Sequence, residues 1–253
     1  FKIITKKDPL AFQFLNHSAA HLMASAVLKL YPNAKFGVGP AIKEGFYYDM
    51  DLGEEKLSDE DLPKIEEMML KIANDKPIVK GKEVSYKEAL EIFKHDEYKL
   101  ELLKDLEGEK ISIYTHDEFV DLCRGGHVND MGEIKHFKLL SVAGAYFRGD
   151  SDNKMLTRVY GVAFYSKKEL DEHLQMLEDR KERDHRKLGR ELGLFMFSNE
   201  AGSGLPFWLK NGATIRRTVE RYITDKEISL GYEHVYTPVI ADHELYKTSG
   251  HWD

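Results

Sequence analysis

Apolar residues return at helical spacing between Pro9 and Leu30, where Phe14, Leu15, Leu22, Ala26, Val27 and Leu30 share a helix and Tyr31-Pro32-Asn33 predicts its end. From Lys35 to Asp51 the period changes to two, with Gly37, Gly39 and Gly45 interspersed, which predicts a hairpin. Ser58 or Asp59 is placed to cap a helix to about Asn74, with Leu62, Ile65, Met68, Met69 and Ile72 on one face. Ser85 caps a short one, Tyr86 to Lys94. Short strands are expected at Lys110–Tyr114 and Glu118–Leu122, a glycine-containing loop at Cys123–His127, and extended chain at Phe137–Phe147 and 154–165. Strands mixed with helices predict an α+β domain. Beyond it, Ser166 caps a charged helix to about Arg190, striped by Leu170, Leu174 and Leu177 and basic at its end (Arg183, Arg186, Lys187, Arg190), which reads as an interdomain linker. An amphipathic helix is expected next at Ala213–Ser229, closed by Gly231, and then a β-rich stretch, Tyr232–Ile240, interrupted by Pro238.

With 42% hydrophobic and 32% charged residues among 253, a packed core is expected rather than disorder. No apolar run reaches the roughly 18 residues of a membrane span. The single cysteine, Cys123, excludes an internal disulfide and any multi-cysteine zinc site, and it fits a reducing cytoplasm. A formal charge of −7 argues against a bulk nucleic-acid coat, though not against a local footprint of Lys and Arg. The chain opens on Phe1 and stops at His251-Trp252-Asp253 without turn chemistry, so both ends read as cuts in a longer protein.

Two short segments carry candidate chemistry. In His17-Ser18-Ala19-Ala20-His21 the histidines are i and i+4, on one helix face. With 11 histidines, chance alone supplies about half such a pair, so this signal is weak by itself. In Cys123-Arg124-Gly125-Gly126-His127 the only cysteine precedes a histidine in a tightly folding loop, a juxtaposition that chance gives about one time in twenty. Together they form a candidate tetrad, His17, His21, Cys123 and His127. It suits a zinc site, or a polar cleft in which neutral histidines work as base and acid. A nucleophilic cysteine is a third use, but no sequence feature marks the thiol as activated.

HSAAHLM at 17–23 with DLCRGGHV at 121–128 resembles the second additional domain shared by threonyl- and alanyl-tRNA synthetases. Further segments resemble the threonyl type: GPAIKEGFYYD (39–49), KLLSVAGAYFRGDSDNKMLTRVYG (138–161), RDHRKLG (183–189), LPFWLKNGATIRR (205–217) and YKTSGHWD (246–253). The resemblance covers essentially the whole chain and implies a piece of a bacterial threonyl-tRNA synthetase. It implies an editing domain over 1–165, a linker helix over 166–190, and the N-terminal part of a class II aminoacylation domain, with its antiparallel sheet, over 191–253.

The resemblance places His17, His21, Cys123 and His127 on the editing tetrad, Asp121 on its acidic neighbour, Lys99 on an editing-site lysine and Tyr48 on a pocket-lining tyrosine. The chain departs from the pattern at Gly126, where the family usually has proline. The resemblance implies hydrolysis of seryl-tRNA(Thr), with a histidine activating water and Lys99 favouring developing negative charge. Threonine's extra methyl would be the excluded group, because one methylene-sized difference is worth only about 1–3 kcal/mol in a single binding step. Residues 213–240 resemble motif 1, which implies a homodimer interface. ATP, Mg2+ and Zn2+ would be bound beyond residue 253, with no cofactor expected here, and tRNA(Thr), threonine and ATP are the implied partners. A metal-free cleft is expected, because alanyl-type relatives carry zinc at this place and threonyl-type sites work without it. The alternative is a free-standing zinc-dependent aminoacyl-tRNA deacylase, and the third class is a non-catalytic RNA-binding module.

Overall fold

Asp8 and Pro9 start the first helix. The Asp8 carboxylate accepts the Leu10 amide at 3.0 Å, and Pro9 occupies a first-turn position that needs no donor. This computed structural model describes residues 4–202 and 204–252. The helix, α1 (Pro9–Leu30), is buried almost continuously from Leu15 to Val27, so it runs through a core and lacks one wet face.

Around it lie β1 (Lys35–Phe36), β2 (Ala41–Ile42), β3 (Gly45–Asp51) and, after a 3-10 turn at Asp59–Asp61, α2 (Leu62–Asn74). Next come β4 (Lys80–Val84), α3 (Tyr86–Ile92), α4 (Glu97–Lys104), β5 (Ile111–His116), β6 (Phe119–Leu122), β7 (His136–Tyr146) and β8 (Met155–Phe164). One antiparallel sheet runs β1-β3-β8-β7, with β2 also pairing to β3. A second is the antiparallel meander β4-β5-β6. The hairpin expected over Lys35–Asp51 is formed by β2 and β3, in register Ala41 to Phe46.

Helix α1 packs on β3, β8 and α2, and its apolar residues join Phe46, Tyr48, Met50, Ile65, Met69 and Val159 in the main core. Asn16 pins it to the sheet. Its amide nitrogen donates to the Ala163 carbonyl at 3.0 Å and its oxygen accepts the Ala163 amide at 2.9 Å, so a buried polar side chain satisfies a strand backbone. The strand β4 and the helix α4 are elements the hydrophobic pattern does not predict.

The chain divides into two compact units, Phe1–Gln175 and Met176–Asp253. After α5 (Lys167–Glu182), α6 (His185–Glu191) begins anew, where one unbroken helix to Arg190 was expected. The break falls at Asp184, in extended ψ, whose carboxylate takes the Arg186 and Lys187 amides; a short acid offers the backbone a cap that competes with continuing the helix. The second unit then forms the hairpin of β9 (Phe195–Phe197) and β10 (Pro206–Trp208), followed by α7 (Lys210–Ser229), which starts three residues before the expected Ala213, and α8 (His243–Thr248). Among the described residues 232–240 hold no strand, contrary to expectation. Tyr236 and Val239 are fully exposed and Tyr232, Val235 and Ile240 are exposed as well, and among the described residues no neighbouring strand supplies the hydrogen bonds that extended chain needs. No helix among the described residues is long and apolar enough to cross a membrane.

Candidate active site

His17 and His21 project from the same side of α1, and Cys123 and His127 come from the loop after β6. The structure brings all four together, with one potential ligand atom from each within 4.8 Å of the others. The His17 and His127 rings stack at 4.3 Å between centroids, and His21 meets them edge-on at 4.9 and 4.5 Å. His17, His21 and Cys123 border a cleft of about 510 Å³ that is also lined by Gln13, Phe14, Gly37–Ala41, Lys99, Asp121 and Arg124, whereas His127 stacks on His17 and does not line it.

The loop reaches this position by its two glycines. Gly125 and Gly126 have φ of +94° and +86°, in the left-handed region that glycine enters without strain. The backbone therefore differs from what a proline at 126 would impose, since proline holds φ near about −65°. A Cβ at Gly126 would also sit 2.8 Å from the Phe14 ring, so the glycine lets the loop close against α1.

Beneath the cleft lies a buried charge network. The Asp121 carboxylate, on β6, receives the Tyr48 hydroxyl and an ammonium hydrogen of Lys99, and also the Leu122 amide at 2.8 Å. His21 Nε2 lies 3.3 Å from the same carboxylate. Lys99, 3% exposed, also donates to the Gly37 carbonyl at 2.8 Å and the Tyr48 hydroxyl at 3.2 Å. An ammonium group has three hydrogens, and Lys99 has three acceptors. It borders the cleft, and its donors are committed to the protein. Tyr48, expected to line the pocket, is instead fully buried and absent from the cleft wall. Its ring packs under Gly39, where any Cβ would collide at 2.2 Å.

Burial sets the protonation states. It holds His21 well below the ordinary histidine range, with the charges of neighbouring histidines and Lys99 adding to the effect. His127 is pushed down to about 3, again mainly by burial. His17 is lowered by burial but partly compensated by the Asp121 charge and by hydrogen bonds to the Gly126 and Gly125 backbone, and it is the least depressed of the three. The Cys123 thiol is pushed up to about 12 by burial. At neutral pH the tetrad therefore holds three neutral imidazoles and a protonated thiol, which disfavours an activated cysteine.

Four such donors suit zinc by chemistry, but zinc bonded at about 2.0–2.3 Å in a tetrahedron brings ligand atoms within about 3.3–3.8 Å of each other. The four ligand atoms here lie within 4.8 Å of one another. His127, moreover, has both nitrogens engaged, Nδ1 with Ser18 Oγ at 3.1 Å and Nε2 with Cys123 Sγ at 3.1 Å. With its atoms drawn together the set could hold a metal ion.

Three contacts escape the sequence reading. Ser18 is fully buried inside the histidine motif, and it reaches both His127 and the Val128 amide. The Tyr114 ring lies 4.7 Å from His127. The Ser112 hydroxyl donates to the Cys123 carbonyl at 2.6 Å. Only Ser18 had a signal, a polar residue on a helix whose neighbours are apolar.

Comparison with known proteins finds a family match over part of the chain and relatives over all of it. Residues 111–160 match the family described as the threonyl and alanyl tRNA synthetase second additional domain. Over its whole length the chain is 62% identical to a threonine–tRNA ligase of Enterococcus faecalis and 60% identical to that of Acholeplasma laidlawii. It is 58% identical to the enzyme of Staphylococcus aureus. In each case the alignment takes in all of this chain and 39% of the relative. Over its whole length, therefore, the chain is similar to threonine–tRNA ligases, of whose length it spans about two fifths.

Proposed function

We propose that the cleft hydrolyses the ester of seryl-tRNA(Thr), releasing serine and leaving the tRNA 3′ hydroxyl free. The observation that carries this reading is the clustering of three neutral imidazoles and a thiol, with His17, His21 and Cys123 lining one cleft, in a chain whose relatives are tRNA ligases. His17 is the best-suited general base. It lines the cleft, is the most accessible of the three rings to protonation, and has the basicity least suppressed by burial. In the proposed reaction water attacks the ester carbonyl as His17 takes its proton. The bond to the ribose oxygen then breaks, and that oxygen leaves with the proton that His17 had taken, which returns His17 to its neutral form. Asp121, held by Lys99 and Tyr48, keeps the His21 ring oriented. We propose that the reaction needs no metal, in keeping with a His127 whose nitrogens are both hydrogen-bonded.

The same reading extends to the wider protein. Residues 1–165 form the editing domain, 166–190 the linker and 191–253 the beginning of a class II aminoacylation domain, whose motif 1-like helix α7 contributes to a homodimer interface. The whole enzyme joins threonine to tRNA(Thr) with ATP and Mg2+, and its zinc lies outside this chain. It works in the cytoplasm. Exposed apolar side chains on α7 at Ile215, Val219, Tyr222 and Ile223, spaced as one stripe, support an interface there. The test measures serine release from seryl-tRNA(Thr) alongside ATP–pyrophosphate exchange. Hydrolysis without exchange is expected, and robust exchange, or no hydrolysis, would overturn the assignment.

A further inference from the structure

Ser18 makes more contacts than a hydroxyl with one hydrogen can donate to. Its Oγ lies 2.8 Å from the Phe14 carbonyl one turn back, 3.0 Å from the Val128 amide and 3.1 Å from His127 Nδ1. The Val128 N–H must donate, which takes one oxygen lone pair. The single hydroxyl hydrogen then goes either to Phe14 or to His127.

Two observations decide between them. The contact to the Phe14 carbonyl has the length of an O–H···O bond, whereas 3.1 Å to the ring nitrogen is a length typical of N–H···O. Serine in a helix also commonly donates to the carbonyl four residues back. The second observation is at the far edge of the ring. His127 Nε2 is 3.1 Å from Cys123 Sγ, and that sulfur already accepts the Gly125 amide at 3.4 Å. A protonated thiol needs an acceptor, and Nε2 is placed to be one. Both ends of the ring give the same answer: Nδ1 carries the hydrogen and Nε2 carries the lone pair.

We infer that Ser18 is a positioning residue that locks His127 in the Nδ1–H tautomer, so that Nε2 captures the Cys123 thiol hydrogen and fixes the sulfur as a neutral wall of the cleft. The chain of contacts is Phe14 carbonyl, Ser18, His127, Cys123, and it links the core of α1 to the cleft surface. Ser18 touches no cleft space itself and is fully buried. Its effect passes through His127. The functional part of this inference rests on the proposed ester hydrolysis; the tautomer does not.

The tautomer is read directly by long-range proton–nitrogen correlation spectra of the 15N-labelled chain at pH 7.5. His127 is expected to show a protonated Nδ1 and an unprotonated Nε2. The opposite pattern in the unaltered protein would overturn the inference whatever the activity. Ser18→Ala is expected to mix the two tautomers and lower kcat for serine release roughly tenfold to a hundredfold, as misplacement of a cleft wall does, with KM little changed. Ser18→Thr, which keeps the hydroxyl, is expected to restore both. If Ser18→Ala melts early, Ser18→Thr and the unaltered spectrum still decide the matter. A Ser18→Ala variant with unchanged tautomer and unchanged kcat would also overturn the inference. If the unaltered protein releases no serine at all, the proposed function fails and the spectrum alone judges the tautomer.

Discussion

Replacing Lys99 by methionine removes the ammonium group while keeping most of the side chain's bulk. Both Lys99 and Asp121 are almost wholly buried, and Lys99 makes three contacts, to Asp121, the Gly37 carbonyl and Tyr48. Without it the Asp121 charge keeps Tyr48, His21 and the Leu122 amide but loses its only full counter-charge among the contacts described. Breaking one side of a buried pair typically costs about 3–5 kcal/mol, because the survivor stays desolvated. For a domain of this size that corresponds to a fall in Tm on the order of 10 °C. The variant should also leave a local signature. Lys99 is one of the charges that depress His21, so its removal should raise the His21 pKa, visible in a histidine NMR titration. The double variant Lys99→Met with Asp121→Asn removes both charges and should regain most of the lost stability, since a neutral pair carries no uncompensated ion. Urea unfolding of the four proteins in this cycle gives the coupling. A single variant within about 1 kcal/mol of the unaltered protein, with His21 titrating as before, would show that Lys99 and Asp121 do not act as a buried ion pair.

Three other expectations concern the tetrad and its surroundings. His17→Asn should cut serine release by roughly a hundredfold to ten-thousandfold while Tm moves little, and a variant that stays active excludes His17 as the base. Cys123 should react with iodoacetamide at pH 8 on the order of a thousandfold more slowly than an unperturbed cysteine, because burial holds its thiol up to about 12; rapid labelling of the folded protein would contradict this. His116 is buried and pushed down to about 4, so the unfolded chain takes its proton near 6.5 while the folded chain does so only near 4. Its contribution to stability is therefore undiminished above pH 6.5 and falls by about 3 kcal/mol as the pH drops to 4. Urea titrations across that window check the slope, and a His116→Phe variant should lose much of it.

The parts of this fold that the sequence announces are those whose cause is local. Asp8 and Pro9 determine the start of α1 and Tyr31-Pro32-Asn33 its end, and the two motifs that meet at the cleft can each be read in a few residues. What stays hidden depends on neighbours. Strand β4 is Lys80-Gly81-Lys82-Glu83-Val84, an exposed edge without apolar alternation, recognisable only because β5 lies beside it. Helix α4 is eight residues long, too short for a periodic signal, yet it delivers Lys99. The opposite error arises at Tyr232–Ile240, where strand-forming residues have no strand to pair with. Tyr48 shows the same limit at the site. Its alternation in β3 identifies an inward-facing residue, but only the fold reveals that inward means beneath the cleft floor, against Asp121.

The deep burial of α1 has a consequence for how such a site fails. Amides in a helix enclosed on nearly every side exchange with solvent mainly when the whole unit opens, whereas lids and surface loops open at little cost. His17 and His21 are carried by that helix, so no separate, cheap opening event can disassemble their half of the cleft. Warming should therefore leave the chemistry intact until the domain melts, with loss of serine release and loss of helical signal falling on one curve. Under the proposed function, a cleft anchored in this way would select by fixed volume, and its selectivity should stay nearly constant over the temperature range in which the protein remains folded.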